Sequence, residues 1–389
     1  MLKSNTGSSV QPCAATAGSE AALKAKAGLD DVKLAFVYGS ADSDLKAMLD
    51  GIKAELPETP IIGNTSFTGI ITPEGYITGD QGFVGILAFS DEDLDVGVAA
   101  SARTEEGPRA IGARLAREAM AAAGKRTPPD YFYMVASPAE EEFYLKGITE
   151  VIGRVPFFGG SAADNEIAGK WWIYTDKEIF QDGCAVAFMY SDGELVNEFT
   201  GAYHETEHVG IVTKMIGDRT IAEIDGVPAL KKYAQWRGMD ADYLKGGVLL
   251  SESVTNPLGV KDRLGDLVAI RHPMNGNDDY SINVGNKVVE KTAVIMMQAS
   301  VDELISSTGD TLRTLKGKMT TKPAAYHLVH CGGRRAGIGD RLNEVTDQII
   351  KEADGVPFIV EFTFGEYGSV DDGLNTCGGL MLSFTGIGK

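Results

Sequence analysis

An internal repeat constrains the fold of this chain more strongly than any other feature of its sequence. The segment PFFGGSAADN at 156–165 has a counterpart in PIIGNTS at 60–66, and their prolines lie 96 residues apart. The same offset aligns three further pairs, namely Gly51 with Gly147, Gly63 with Gly159 and Thr65 with Ser161. A fixed period across several elements predicts a duplicated structural unit. Each copy, over about 30–100 and 126–200, predicts a strand, a helix, a P-Φ-Φ-G turn and two further strands.

Alternating strand-like and helix-like segments predict an α/β fold with mixed sheets. The chain has 389 residues, of which 43% are hydrophobic and 23% charged, as in soluble globular proteins of two or three domains. We predict an N-terminal domain over 18–200 that contains both repeats. A second α/β domain with a different strand order is expected over 201–389. Residues 1–17 are predicted to form a disordered tail.

Charge and cysteine content exclude several classes of function. The net charge of −19 repels nucleic acid and anionic membranes, because phosphate binding needs clustered Lys and Arg. No apolar run approaches the ~20 residues that span a bilayer, and the N-terminus lacks the apolar core of a signal peptide. The four cysteines form no C-x-x-C pair, which argues against a zinc ribbon or a disulfide framework. A cytoplasmic protein is therefore expected.

The familiar catalytic motifs are missing or wrongly placed in the sequence. HETEH at 204–208 matches the zinc-protease pattern H-E-x-x-H, which needs both histidines on one face of a helix. Gly201 and Gly210 bracket this segment and its flanks are β-like, so we predict a turn or a strand edge. The chain also contains neither a G-x-S-x-G elbow nor a G-x-x-x-x-G-K-[ST] loop.

A Gly-rich turn followed by two arginines and a helix is the strongest candidate for a ligand site. In AAYHLVHCGGRRAGIGD, backbone N–H groups at the turn and the guanidinium of Arg334 or Arg335 suit a carboxylate or phosphate. Further along, Glu366 ends an apolar strand, and Asn375 and Thr376 precede the last strand. An arginine and a carboxylate in one cleft would pair with the α-carboxylate and α-ammonium groups of a free amino acid.

The two repeated glycine segments are a second candidate for the ligand site. They would offer backbone N–H groups where each strand ends, and the symmetry of the repeats could bring them to one cleft. The residues concerned are Gly159, Gly160, Ser161 and Asp164 in the second copy and Gly63, Asn64 and Thr65 in the first. The alternative is that both segments are sharp turns after buried strands.

A cysteine-dependent enzyme is the one catalytic interpretation that the residues leave open. Cys331 could act as a nucleophile beside Arg334, because cationic neighbours lower the pKa of a thiol. His327 or His330 would then have to serve as the general base. The opposing interpretation is that Cys331 is a buried, unreactive strand residue.

The order of the motifs along the chain resembles that of the FIST sensory domain. The shared motifs are the duplicated P-Φ-Φ-G-[GN]-[ST] segments, D-G-V-P-A-L at 225–230, C-G-G-R at 331–334, F-G-E at 364–366 and N-T at 375–376. The similarity covers roughly 18–386, as an N-terminal and a C-terminal FIST region. It implies a non-catalytic intracellular sensor that needs no cofactor and binds small ligands such as amino acids. Its ligand residues would include Cys331, Arg334, Glu366, Asn375 and Thr376.

The same resemblance implies signalling partners and one alternative function. Signalling would act in trans, through a histidine kinase or a cyclic-dinucleotide enzyme. One branch of the family binds haem to sense nitric oxide, so a haem sensor is the alternative. Its candidate ligands are His204, His208, His272, His327 and His330. His327 and His330 stand three apart on a predicted strand, so they face opposite sides and cannot both bind one iron.

Overall fold

The computed structural model describes residues 2–261, 268–369 and 375–388. It is an α/β protein with mixed sheets, as the sequence predicts. Three units with the same order of elements make up its core. Each unit runs strand, helix, strand, helix, strand, then a short two-stranded arm and a closing strand. The third unit also carries a long insertion after its first strand.

The first two units occupy residues 3–90 and 95–190. Unit 1 consists of β1 (Lys3–Ser9), α1 (Ala14–Lys26), β2 (Leu34–Gly39), α2 (Leu45–Glu55), β3 (Ile61–Thr65), β4 (Ile70–Thr72), β5 (Gly75–Ile77) and β6 (Val84–Ser90). Unit 2 consists of β7 (Asp95–Ala102), α3 (Pro108–Ala122), β8 (Tyr131–Ala136), α4 (Glu141–Ile152), β9 (Phe157–Ser161), β10 (Ile173–Thr175), β11 (Ile179–Phe180) and β12 (Gly183–Tyr190). Both units begin earlier than the predicted repeats, because β1 and β7 pair with the closing strands β6 and β12.

The N-terminal residues are ordered, so the predicted disordered tail over 1–17 is wrong. β1 runs antiparallel to β6, from Lys3 opposite Ser90 to Ser9 opposite Val84. Its small residues, which suggest disorder when taken alone, allow α1 to pack closely on the strand. A Cβ on Gly7 would lie only 2.1 Å from the carbonyl oxygen of Ala21 in α1.

The C-terminal half contains a third unit, which is interrupted after its first strand by an insertion over 204–298. Unit 3 begins with β13 (Glu194–Thr200). The insertion comprises β14 (His204–Ile216), β15 (Thr220–Ile224), β16 (Val227–Pro228), α5 (Ala229–Arg237), α6 (Val248–Glu252), β17 (Leu258–Lys261), β18 (Val268–Arg271), β19 (Pro273–Gly276), β20 (Ile282–Val284) and β21 (Ala293–Gln298). Unit 3 resumes with α7 (Val301–Lys318), β22 (Pro323–Cys331), α8 (Gly332–Ile338), a 3₁₀ turn (Gly339–Arg341), α9 (Leu342–Ala353), β23 (Phe358–Thr363), β24 (Glu366–Gly368), β25 (Thr376–Gly378) and β26 (Leu382–Gly388). Pairing of β22 with β23 and β26 repeats the pattern of the first two units.

The three units exchange their arms in a ring. The β10–β11 arm of unit 2 pairs with β3 of unit 1, and the β24–β25 arm of unit 3 pairs with β9 of unit 2. The β4–β5 arm of unit 1 completes the ring on β23 of unit 3. Each of the three core sheets therefore contains strands from two units.

The strand ends meet around the pseudo-threefold axis of this ring. Directly after β3, β9 and β23, backbone N–H groups donate to carbonyl oxygens of another unit. The three bonds run from Phe67 to Phe362 (2.9 Å), from Ala163 to Thr65 (2.9 Å) and from Phe364 to Ser161 (3.1 Å). This cyclic exchange fixes the relative positions of the repeated segments.

The P-Φ-Φ-G segments are strands, and not the turns that the sequence predicts. Gly63 in β3 and Gly159 in β9 each lie between two paired strands. A Cβ on Gly63 would lie 1.7 Å from the carbonyl oxygen of Val37, and a Cβ on Gly159 would lie 1.9 Å from that of Met134. These glycines therefore allow neighbouring strands to approach closely.

The insertion forms its own sheet and packs on unit 3. HETEH lies at the start of β14, which confirms that this segment is not a helix. A hydrophobic core joins Val254 and Ile270 of the insertion to Leu304 and Leu380 of unit 3. The insertion and the ring therefore share one packed interior.

Candidate functional site

Arg334 lies in a buried polar cluster at the junction of β22, α7 and α8. The predicted Gly-rich turn does not form, because α8 begins directly after β22. Arg334 is 0% exposed, and its Nη2 donates to the carbonyl oxygen of Leu304 (2.8 Å) and to Oγ of Ser307 (2.6 Å). The neighbouring Arg335 is half-buried and lies over the ring of Tyr76.

The guanidinium of Arg334 lacks a counter-ion in the described part of the chain. Its Nε and Nη1 have no hydrogen-bond partner there. Burial lowers its pKa, but an arginine side chain keeps its proton at neutral pH. Both hydrogens of Nη2 are used, so neither edge of the guanidinium offers two free donors. A bound anion would be held through Nε or Nη1, and not by two parallel hydrogen bonds from one edge of the guanidinium.

Glu366, the predicted partner of an ammonium group, belongs to the same cluster. Its Oε1 accepts from Thr363 Oγ1 (2.9 Å) and its Oε2 from the backbone N–H of Met381 (2.9 Å). Burial raises the pKa of Glu366 to about 8. Burial thus favours the protonated form of this carboxyl near neutral pH and weakens its neutralisation of Arg334.

Cys331 and His330 complete the cluster in forms unsuited to catalysis. Burial raises the pKa of the Cys331 thiol, although the N–H of Leu380 donates to its Sγ (3.3 Å). Burial, followed by the charge of Arg334, lowers the pKa of His330 to about 3. Burial outweighs the nearby charge, which favours the interpretation of Cys331 as a buried strand residue over that of a nucleophile.

The second glycine segment lies beside Glu366, and the first does not. Gly160 pairs with Glu366 between β9 and β24, and Ser161 Oγ lies 2.6 Å from the hydroxyl of Tyr367. A Cβ on Gly160 would lie 2.5 Å from Cγ2 of Thr363, so protein atoms fill the space at this glycine.

Asp164 organises the loop that follows β9. Its carboxylate accepts from the backbone N–H groups of Glu166 (2.9 Å), Ala168 (3.0 Å) and Lys170 (3.0 Å). Burial alone would raise the pKa of Asp164, but these donors hold it below its usual value. Asp164, a predicted ligand residue, therefore binds backbone N–H groups of its own loop.

Asn64 belongs to a different buried network near the axis of the ring. Its Nδ2 donates to Glu361 Oε2 (3.0 Å), and its Oδ1 accepts from the hydroxyl of Tyr133 (3.0 Å). The hydroxyl of Tyr38 contacts both Tyr133 (3.2 Å) and Nε2 of His327. The sequence analysis missed Tyr38, Tyr133 and Glu361. Next to Asn64, the Oγ1 of Thr65 accepts a hydrogen bond from the backbone N–H of Trp172 (2.9 Å).

Asn375 and Thr376 line an open groove, apart from the Arg334 cluster. The groove has a volume of about 470 Å³ and lies between α4 and β25. Lys146 and Arg271 also line it. The candidate ligand residues of the two sequence motifs are thus divided between a buried cluster, the central network and this groove.

The five histidines, the candidate haem ligands, lie on β14, between β18 and β19, and on β22. His327 is enclosed by aromatic rings of the central network, and Nε2 of His272 is bonded to the carbonyl oxygen of Leu250 (3.0 Å). His327 and His330 pack on opposite faces of β22, as predicted. The remaining two lie on β14, where His204 contacts Glu303 (2.9 Å) and His208 stacks on Trp236. We therefore derive no step of the proposed function through haem.

Neither a metal-binding cluster nor a membrane-spanning helix is found in the ranges that the structure describes. Within 2–261, 268–369 and 375–388, no group of three His, Cys, Asp or Glu side chains is arranged to hold a metal ion. No helix in these ranges is both long and apolar enough to cross a bilayer.

Two family models match most of the chain. The FIST N domain matches residues 33–227 and the FIST C domain matches residues 229–369. The chain belongs to the FIST family. This confirms the resemblance seen in the motifs and assigns the protein to a family of small-ligand sensory domains. The boundary between the two FIST matches falls at β16, inside the insertion.

Solved structures resemble this FIST protein only weakly. Cyanuric acid hydrolase from A. caulinodans matches with a TM-score of 0.35 and 11% identity, over 99% of both chains. PurLQS from Thermotoga maritima matches with a TM-score of 0.25 and 10% identity, over 100% of the FIST chain and 72% of its own. Similarity at this level supports no argument about function. The curated proteins contain no match to the chain.

Proposed function

We propose that the protein is a non-enzymatic sensor that binds a small carboxylate metabolite, such as an amino acid, at Arg334. The observation that carries this proposal is the buried guanidinium with unpartnered Nε and Nη1. A buried charge is costly unless an opposite charge and hydrogen bonds reach it. A carboxylate would supply both, whereas protonated Glu366 supplies no charge.

The amino group of an amino acid would act on Glu366. An ammonium group beside a carboxyl favours the ionised form of that carboxyl. Binding would therefore release the proton that Glu366 holds at neutral pH. A ligand without an amino group would leave this proton in place, so proton release separates the two ligand classes.

The contacts of Arg334 favour transmission of ligand binding to the insertion. Arg334 is bonded to Leu304 and Ser307 in the first two turns of α7, and α7 directly follows the last strand of the insertion. A ligand that shifts Arg334 would thus act on the segment that joins the insertion to the ring. We infer output in trans in the cytoplasm, to a histidine kinase or a cyclic-dinucleotide enzyme, from the family resemblance alone.

Thermal-shift screening of amino acids and their des-amino analogues tests the ligand class. A ligand at 100 times its Kd adds about 2.7 kcal/mol to the free energy of unfolding. Titration calorimetry should then show at least a ~10-fold loss of affinity in Arg334→Lys, because a single ammonium nitrogen replaces a guanidinium that can reach Leu304 and Ser307 with one nitrogen and the ligand with another. Arg335→Lys is the matched control and should bind as the unchanged protein does. Absence of any stabilising carboxylate, or equal losses in both variants, would contradict the proposal.

Glu366→Gln tests the site without removing the buried cation. The variant should bind an amino acid more weakly and its des-amino analogue unchanged. Calorimetry in two buffers of different ionisation enthalpy measures the proton released on binding. That release should occur in the unchanged protein with an amino acid and disappear in Glu366→Gln. Release that persists in the variant would show that another group loses the proton.

A further inference from the structure

The groove between α4 and β25 lies on the outside of the ring and contains charges that the proposed function does not use. Lys146 lies on the exposed face of α4, and Arg271 ends β18 of the insertion. Asn375 and Thr376 form the third side, at the start of β25. Three separate parts of the fold therefore meet around a cavity of about 470 Å³.

Each of the two acidic residues of the groove pairs with an arginine that lies outside the groove. Glu142 pairs with Arg219, and Glu150 accepts from Nε of Arg109 (3.0 Å). Among the described residues Lys146 forms no hydrogen-bonded ion pair, although its charge helps to lower the pKa of Glu150. The groove therefore keeps an excess of positive charge on a chain whose net charge is −19.

Arg271 is held in place by backbone carbonyl groups alone. Its Nε donates to the carbonyl oxygen of Lys287 (2.9 Å), and its Nη1 donates to those of Ile270 (3.0 Å) and Cys377 (3.4 Å). These neutral acceptors fix the guanidinium, and the carboxylates that act on its charge, Glu141 and Glu142, contact Arg219 instead. The nearby Oδ1 of Asn375 has no hydrogen-bond donor within the described residues.

The internal symmetry of the ring provides a comparison groove. Between α2 and the β10–β11 arm lies an equivalent cavity of about 360 Å³. At the 96-residue offset, Asp50 occupies the place of Lys146. Asp50 pairs there with Lys46 (2.8 Å), and Lys53 and Lys177 are balanced by Asp176 and Glu178. The same architecture is therefore cationic in one groove only.

We propose that the α4–β25 groove binds a small organic dianion, either a phosphate monoester or a dicarboxylate. Lys146 and Arg271 come from different elements, so they can contact two negative charges or two sides of one phosphate. The free Oδ1 of Asn375 would accept a hydrogen bond from a hydroxyl or amino group of the ligand. This site is separate from the Arg334 cluster, and either proposal can fail without the other.

Titration calorimetry at low ionic strength with glycerol 3-phosphate, succinate and inorganic phosphate tests the groove. Glycerol 3-phosphate or succinate should bind, and the one that binds more tightly identifies the class of dianion. Lys146→Glu should lower its affinity at least ~10-fold, because an attractive charge becomes a repulsive one. Lys177→Glu makes the same charge change in the comparison groove and should leave the affinity unchanged.

Three results would overturn the inference. The first is the absence of binding by any of the three probes at millimolar concentration. The second is an equal loss in Lys146→Glu and Lys177→Glu, which would indicate non-specific attraction to the whole surface. The third is loss of binding in Arg334→Lys with retention in Lys146→Glu, which would assign the anion to the buried cluster.

Discussion

Cys331 precedes Arg334 by only three residues, and a cationic neighbour normally lowers the pKa of a thiol. In the folded protein the thiol is buried, and burial raises its pKa. Cys13 is exposed by contrast, and its pKa is lowered, chiefly by a hydrogen bond from Thr16. Burial therefore decides which cysteine is reactive, and the distance along the sequence does not.

We expect iodoacetamide to modify the native protein at Cys13 well before Cys184, Cys331 or Cys377. The three slow cysteines are buried, so they should react only after denaturation. Peptide mass spectrometry over a time course measures the four rates separately. A Cys13→Ser variant should stay almost unmodified while folded. Modification of Cys331 at the rate of Cys13 would restore the enzymatic interpretation.

The residues of the central network show why sequence comparison did not find this part of the site. The 96-residue offset aligns Val37 with Tyr133. In the folded sheets Ala35 lies opposite Ile61 and Phe132 opposite Phe157, so β2 and β8 are shifted by one residue relative to the alignment. A shift of one residue moves every side chain to the other face of a strand. The contact of Tyr133 with Asn64 therefore could not be inferred from the alignment.

The repeated glycines Gly63 and Gly159 allow neighbouring strands to pack closely. The sequence predicted strand, helix and glycine segment in the correct order in both repeats. It could not show that the segment continues as a strand, because the neighbours on both sides of β3 and β9 come from distant parts of the chain. Glycine is compatible with a turn and with a crowded strand alike.

Gly63→Ala should destabilise the protein by about 3 kcal/mol, because the new methyl group would overlap the carbonyl oxygen of Val37. Gly317→Ala is the control in the exposed part of α7, where nothing lies within 4 Å of the added carbon. Alanine there should stabilise the protein by about 0.5–1 kcal/mol through helix propensity. Denaturant unfolding of both variants measures the difference. A mild effect of Gly63→Ala would mean that β2 and β3 can separate without cost.

For the whole molecule, the repeat identified two units and missed the third. In β23 the residues at the positions of Gly63 and Asn64 are Val360 and Glu361, so the glycine signal is lost. The insertion at 204–298 also separates the first strand of unit 3 from its first helix. The pairing of β22 with β23 and β26 shows the third unit, although the sequence pattern no longer does.

Buried carboxyl groups should make the whole protein less stable as the pH rises. Burial raises the pKa of Glu141 to about 8, of Glu361 to about 7 and of Glu366 to about 8. Each folded value exceeds the unfolded value of about 4.3, so the stability is fully present below about pH 4 and is lost as the pH approaches 8. Within that window each group lowers the free energy of unfolding by about 1.4 kcal/mol per pH unit.

Denaturant unfolding across this pH range should show a shallower decline in Glu366→Gln than in the unchanged protein. Glutamine resembles the protonated acid, so one proton no longer titrates on unfolding. Glu105→Gln removes an exposed carboxylate and should leave the slope unchanged, which controls for general repulsion on this acidic chain. Equal slopes in all three proteins would show that Glu366 is ionised in the folded state.

The exchange of arms limits how this protein can be divided or assembled. A fragment that ends after unit 2 would expose the edge of β9, where β24 belongs, and would leave β4–β5 without its place on β23. An open sheet edge beside an unattached pair of strands is the arrangement from which neighbouring molecules exchange segments. Such fragments would join one another into open-ended polymers. Only a molecule with all three units can satisfy its own edges, so the ring closes only when every unit is present.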